Sequence, residues 1–113
     1  MNEMITLNRL KGKEKINTLF RKGTIHRTKL LLLKVLMTSD EENRLYAGVS
    51  VPKKIFSRAV DRNQIKRQLR IALKTLEKEI PFSGSCMLIY NGQKTPTTQK
   101  LIVELKIILE KYS

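Results

Sequence analysis

Apolar residues recur along this chain at several different intervals, and each interval predicts a different local structure. In Lys13–Lys22, Ile16, Leu19 and Phe20 stand at i, i+3 and i+4, the spacing of one helical stripe. Gly23 is the expected stop, because glycine enters the left-handed region without a steric cost. Residues 29–37 are a run of leucines and valine broken by Lys34, short enough to read as a strand. After the polar turn Ser39-Asp40-Glu41-Glu42-Asn43, residues 44–51 alternate, with Leu45, Ala47, Val49 and Val51 on one face and Arg44, Tyr46, Gly48 and Ser50 on the other. Period 2 with one apolar face predicts a half-buried strand, paired with the preceding one as a hairpin.

Residues 57–80 carry the longest helical pattern. Ser57 is placed to cap it, Ile65, Leu69, Ala72, Leu73, Leu76 and Ile80 form its core stripe, and Pro81 ends it. Residues 86–90 form a short apolar strand closed by the turn pair Asn91-Gly92. Thr95 is expected to cap a last helix with Pro96 at its first position, and Leu101, Leu105, Ile108, Leu109 and Tyr112 make its stripe. The order is helix, two strands, helix, strand, helix. That is an α+β sandwich, with helices packed on a small sheet in a single domain over residues 1–113.

Charge changes the picture from fold to partner. The 113 residues carry 23 Lys and Arg against 10 Asp and Glu, a net charge of +13. Such an excess strains a compact monomer and calls for a polyanion, either nucleic acid or an anionic membrane surface. No apolar run approaches the ~20 residues of a membrane span. The opening Met1-Asn2-Glu3-Met4 lacks the basic and apolar regions of a signal peptide. The single cysteine, Cys86, has no disulfide partner and no zinc-ligand spacing around it, and a cytoplasmic protein is expected.

The cations concentrate on the helix at 57–80. Arg62, Lys66, Arg70 and Lys74 recur every four residues as a ridge, with Asn63 and Arg67 beside it, away from the apolar stripe. A basic helix face is usually only solvated. Here, though, few carboxylates are spaced to pair with it, and Lys53-Lys54 leads into the same neighbourhood. Arginine forks grip phosphate bidentately, and Asn63 can donate and accept at a sugar or base edge. Phe20, among Lys15, Arg21 and Lys22, could stack on a base, although its spacing equally fits ordinary core. His26 has no neighbouring ligand or nucleophile and is expected at the surface. Cys86 reads as a small apolar residue, and Asp40, Glu41 and Glu42 as a solvated turn. No nucleophile–base pair, metal cluster or phosphate loop can be assembled, so catalytic residues are expected to be absent.

Over nearly its whole length the chain resembles the protein component of bacterial ribonuclease P. The resemblance is carried by Arg9-Leu10-Lys11, Phe20 and Gly23, by Gly48-Val49-Ser50-Val51 with Lys53-Lys54, and above all by Ala59-Val60, Arg62-Asn63, Ile65-Lys66-Arg67 and Leu69-Arg70. It implies an α-β-β-β-α-β-α sandwich like the second domain of ribosomal protein S5, on a small mixed sheet, with the basic helix in a left-handed crossover. It also implies one strand more than the pattern predicts, near residues 24–28. The implied function is that of an accessory subunit of the tRNA 5′-maturation endoribonuclease, whose catalysis belongs to a partner RNA with Mg²⁺. The protein itself needs no cofactor.

Carried over residue by residue, Lys53, Lys54, Arg62, Asn63, Lys66, Arg67 and Arg70 contact the catalytic RNA, while Phe20 and Ser50 hold the 5′ leader of precursor tRNA. Three positions depart from the family pattern. Gln64 stands in place of a second arginine, Ile16 in place of an aromatic one turn before Phe20, and Lys34 in place of an aromatic on the sheet. The approach through Ile55-Phe56-Ser57-Arg58 is one residue longer than usual. Neither membrane nor DNA is an expected partner. The alternative function is a ribosome-associated or general RNA-binding protein on the same fold. A DNA-binding regulator is disfavoured because a strand, not a helix, precedes the basic helix.

Overall fold

The computed structural model describes residues 6–38 and 44–112. The elements run β1 (Thr6–Arg9), α1 (Lys13–Lys22), β2 (Thr24–Arg27), β3 (Leu31–Met37), β4 (Arg44–Ser50), α2 (Ala59–Thr75), a 3₁₀ turn (Glu77–Glu79), β5 (Gly84–Tyr90) and α3 (Thr98–Glu110). The strands form one mixed sheet in the order β1-β4-β5-β3-β2. The α+β class holds, and the strand implied near residues 24–28 is β2. The polar turn at 39–43 lies outside the described residues.

The hairpin expected between residues 29–37 and 44–51 does not form, because β5 stands between β3 and β4. β5 pairs antiparallel with β3 (Leu33↔Leu88) and parallel with β4 (Ala47↔Cys86), and α2 makes the crossover from β4 to β5. The physical reason lies in β5 itself, which is apolar on both faces from Cys86 to Ile89 and therefore belongs at the centre. β1 also escaped the pattern. It adds a parallel edge strand beside β4, and its Leu7 N–H donates to a Glu77 carboxylate oxygen at 3.3 Å.

The two faces of the sheet bury different sets. Leu31, Leu33 and Val35 of β3, Leu45 of β4, and Cys86, Leu88 and Tyr90 of β5 pack with α2 and α3. On the other face, α1 brings Leu19 onto Leu10 and Met87, with Leu36, Tyr46 and Ile89 at the margin. Cys86 is buried, and that burial pushes its thiol up to about 12, consistent with a packing role. His26 is half-buried rather than fully at the surface, its ring edge-on to Tyr112, two residues past the end of α3, at 4.6 Å.

Helix ends differ from the expected ones for local reasons. α2 begins two residues after Ser57, with Arg58 at its N-cap and no side-chain cap. It also stops at Thr75, and Leu76 and Ile80 extend its buried stripe through the 3₁₀ turn. α3 is capped by Thr97, whose hydroxyl accepts from the Lys100 N–H at 3.3 Å. Pro96 lies outside that helix, and its carbonyl accepts from the Gln68 amide of α2 at 2.8 Å.

Gly23 does end α1, but with φ −72° and ψ 154°, which is extended rather than left-handed. Its requirement is space: a Cβ at this position would stand 2.5 Å from the Leu19 carbonyl oxygen and 3.1 Å from that of Val35. Both are backbone atoms that cannot move aside alone. Gly23→Ala is therefore expected to cost about 1–3 kcal/mol, as overpacking does, read as a lower urea midpoint. An unchanged midpoint would mean the contact relaxes freely.

Candidate nucleic-acid interface

α2 is seated by Ile65, Leu69 and Ala72, all with no exposed area, and this fixes where its polar residues point. Four residues of helix turn through about 400°, so a row spaced at i, i+4 drifts by about 40° per step. The predicted ridge consequently divides into three parts. Arg67 and Asn63 are exposed on the outer side. Lys66, Arg70 and Lys74 line a groove shared with β1 and β4. Arg62, nearest the core side at the helix start, turns inward to the backbone.

Arg62 Nη1 donates to the carbonyls of Phe56 and Ser57, each at 2.8 Å. Phe56 is buried, 5.8 Å from the Tyr90 ring, and its N–H and that of Ile55 donate to the Pro52 carbonyl. The guanidinium thus fastens the turn carrying Lys53 and Lys54 to the first turn of α2. Both lysines are exposed. The approach to α2 is a tight turn closed by Phe56.

Ion pairing spares most of these cations. Arg58 meets Asp61 only at 3.9 Å, and Lys74 meets Glu77 at 3.1 Å. Among the described residues, no carboxylate lies within ion-pair distance of Lys53, Lys54, Lys66, Arg67 or Arg70. Such a surface is suited to phosphates, since uncompensated cations on a rigid rod gain most from a polyanion.

Phe20 is 42% exposed and lies outside both core clusters, so the core reading of this residue is set aside. Lys34 holds it in place. Its ammonium donates to the Phe20 carbonyl at 2.9 Å and sits 4.4 Å from the ring centroid. One lysine therefore satisfies a free carbonyl in the last turn of α1 and takes the ring by a cation–π contact. Registered partners share a face, which places Ile25, Lys34, Met87 and Gly48 in one row and Arg27, Leu32, Ile89 and Ser50 in the next. Ser50 and Phe20 thus stand on the same side of the sheet, over a row in which Leu32 and Ile89 remain half-exposed. Ile16 packs at the margin of the α1 core, and Gln64 is exposed.

The family model described as Ribonuclease P matches residues 4–113. A ribonuclease P protein component from a Pseudanabaena species is 34% identical over 107 residues, covering 92% of this chain and 90% of that relative. Among solved structures, the RNase P protein from Thermotoga maritima superposes with a TM-score of 0.79 at 16% identity, covering 92% of this chain and 96% of that one. The Staphylococcus aureus RNase P protein does so with a TM-score of 0.75 at 24% identity, covering 93% and 94%. At these identities the two structures speak for the fold.

The division of the cations has a direct test in stability. Arg62→Ala should cost about 1–3 kcal/mol, the worth of hydrogen bonds from a charged donor, while Arg67→Ala should stay within about 0.5 kcal/mol. Phe20→Ala should likewise be mild beside Leu19→Ala, which empties a core site at ~2–5 kcal/mol. Urea titrations of the four variants check this. Equal losses for Arg62 and Arg67, or for Phe20 and Leu19, would contradict the placement.

Proposed function

The chain belongs to the Ribonuclease P protein family, and on that premise we propose that it is the protein subunit of ribonuclease P, supporting maturation of the tRNA 5′ end. In this reading the outer face of α2 with Asn63 and Arg67, its groove flank with Lys66 and Arg70, and the turn before it with Lys53 and Lys54 bind the catalytic RNA. Arg62 shapes that surface from behind. The face beside α1, with Phe20 and Ser50, takes the 5′ leader of precursor tRNA. Hydrolysis of the phosphodiester falls to the RNA with its Mg²⁺, and the compartment is the cytoplasm.

The observation that carries the reading is the set Lys66, Arg67 and Arg70, which meet no carboxylate among the described residues, on a helix whose opposite stripe is buried. A polyanion surrendering counterions to such a face gains affinity with each phosphate met. Two RNAs brought together repel each other, and a protein of net charge +13 reduces that repulsion. An exposed ring held by Lys34 then offers a stacking platform to an unpaired leader, and base–aromatic stacking is worth ~1–3 kcal/mol per base. Mature tRNA has no leader, so this contact favours precursor over product.

Reconstitution tests the assignment. The protein alone should leave precursor tRNA intact, and with a bacterial catalytic RNA it should accelerate 5′ cleavage at limiting Mg²⁺. Phe20→Ala should weaken precursor binding roughly tenfold, at 1.4 kcal/mol per decade, with assembly on the catalytic RNA and binding of mature tRNA unchanged. Cleavage by RNA-free protein, or no acceleration by the complex, would overturn the function. Equal losses for precursor and mature tRNA would remove Phe20 from the leader site.

A further inference from the structure

β4 is covered on its outer side only as far as Ala47. The last rung to the β1 segment is the Leu10 N–H donating to the Ala47 carbonyl at 2.9 Å, and β4 then runs on to Ser50 with no strand beside it. Where β1 turns away and α2 passes over, a groove of about 660 Å³ remains. Lys66, Arg70 and Lys74 form its α2 wall, Ala47 and Val49 contribute its apolar floor on that side of the sheet, and no carboxylate lines it among the described residues. Lys74 is engaged by Glu77, so Arg9, Lys66 and Arg70 are the cations left to a ligand among the described residues.

We infer that this groove is a pocket for one unstacked nucleotide of an RNA strand, its phosphate held by Lys66 and Arg70 and its base laid over Ala47 and Val49, which share the α2 side of the sheet. The inference rests on the reading of α2 as an RNA surface and adds a built subsite to it. A merely phosphate-binding ridge needs no apolar lining, and a hydrophobic peptide has no use for three cations that meet no carboxylate among the described residues. A nucleotide carries both halves, an anion joined to a flat, weakly polar ring. The volume lies within the range of small-ligand sites. Arginine suits the phosphate through its planar fork.

The test is amide-resolved NMR of the full chain without partner RNA, so it stands apart from the outcome of reconstitution. Adenosine 5′-monophosphate should move the amides of Arg9, Gly48 and Val49 saturably. Inorganic phosphate and adenosine, each offering half of the contacts, should bind about tenfold more weakly. Arg70→Gln should weaken the nucleotide by a similar factor, and Val49→Phe, which fills the groove, should abolish the shifts in a chain whose spectrum is otherwise native. If Val49→Phe fails to fold, Lys66→Gln serves as the second variant and should also weaken binding. Equal binding of phosphate or of a polyglutamate peptide, or shifts spread along all of α2, would overturn the pocket and leave only a general cationic surface. Loss of the pocket with catalytic-RNA assembly intact would refute this inference alone.

Discussion

Burial of the apolar stripe of α2 against the sheet is the constraint from which the rest of the molecule follows. Ile65, Leu69 and Ala72 have no exposed area, and each large side chain buried in this way is worth ~1.5–3 kcal/mol. Because α2 connects two strands that are parallel neighbours, β4 and β5, the same burial fixes the crossover and places β5 between β3 and β4. With one side of the helix committed to the core, its cations have no choice but the flanks and the outer face. The chain thereby presents charge as geometry, with one set facing outward and one lining a groove.

Much of this architecture could be read from residue periodicity. α1 matches the predicted Lys13–Lys22, and the buried stripes of α2 and α3 are those expected, apart from a half-buried Tyr112. What periodicity cannot supply is which strands become neighbours. The alternating residues of β4 suggested a local hairpin, whereas its partner lies about forty residues on, in β5. The doubly apolar character of β5 was the available cue to a central strand. The edge strands were harder. β2, with Thr24, Ile25 and Arg27 exposed, has no apolar face to announce it, and β1 is held by rungs to β4 and a carboxylate on the 3₁₀ turn. Caps failed where a tertiary partner took over, as when Gln68 claims the Pro96 carbonyl and leaves Thr97 to start α3.

The candidate site was readable in kind and less so in detail. Spacing alone grouped Arg62 with Lys66 and Arg70, but the drift of the row turns Arg62 toward the Phe56 and Ser57 carbonyls. Similarly, Phe20 shares a helical stripe with Leu19, yet only Leu19 reaches the sheet, and Lys34 holds the ring at the surface. Lys34 thus performs a positioning task, orienting an aromatic. The groove beside β4 had no signal in the sequence, since it arises where an edge strand ends under a helix.

The central claim is that the α2 cations that meet no carboxylate among the described residues, and not the net positive charge of the chain, determine its association with the catalytic RNA. The most direct measurement is the salt dependence of that association for the native protein, for Lys66→Gln/Arg67→Gln/Arg70→Gln, and for a control neutralising exposed Lys100, Lys106 and Lys111 around α3. Each lost phosphate contact should reduce the log–log slope by up to about one unit. The account predicts a slope shallower by two to three such units for the α2 variant, with the control close to native. Equal changes in the two variants, at equal loss of charge, would contradict it.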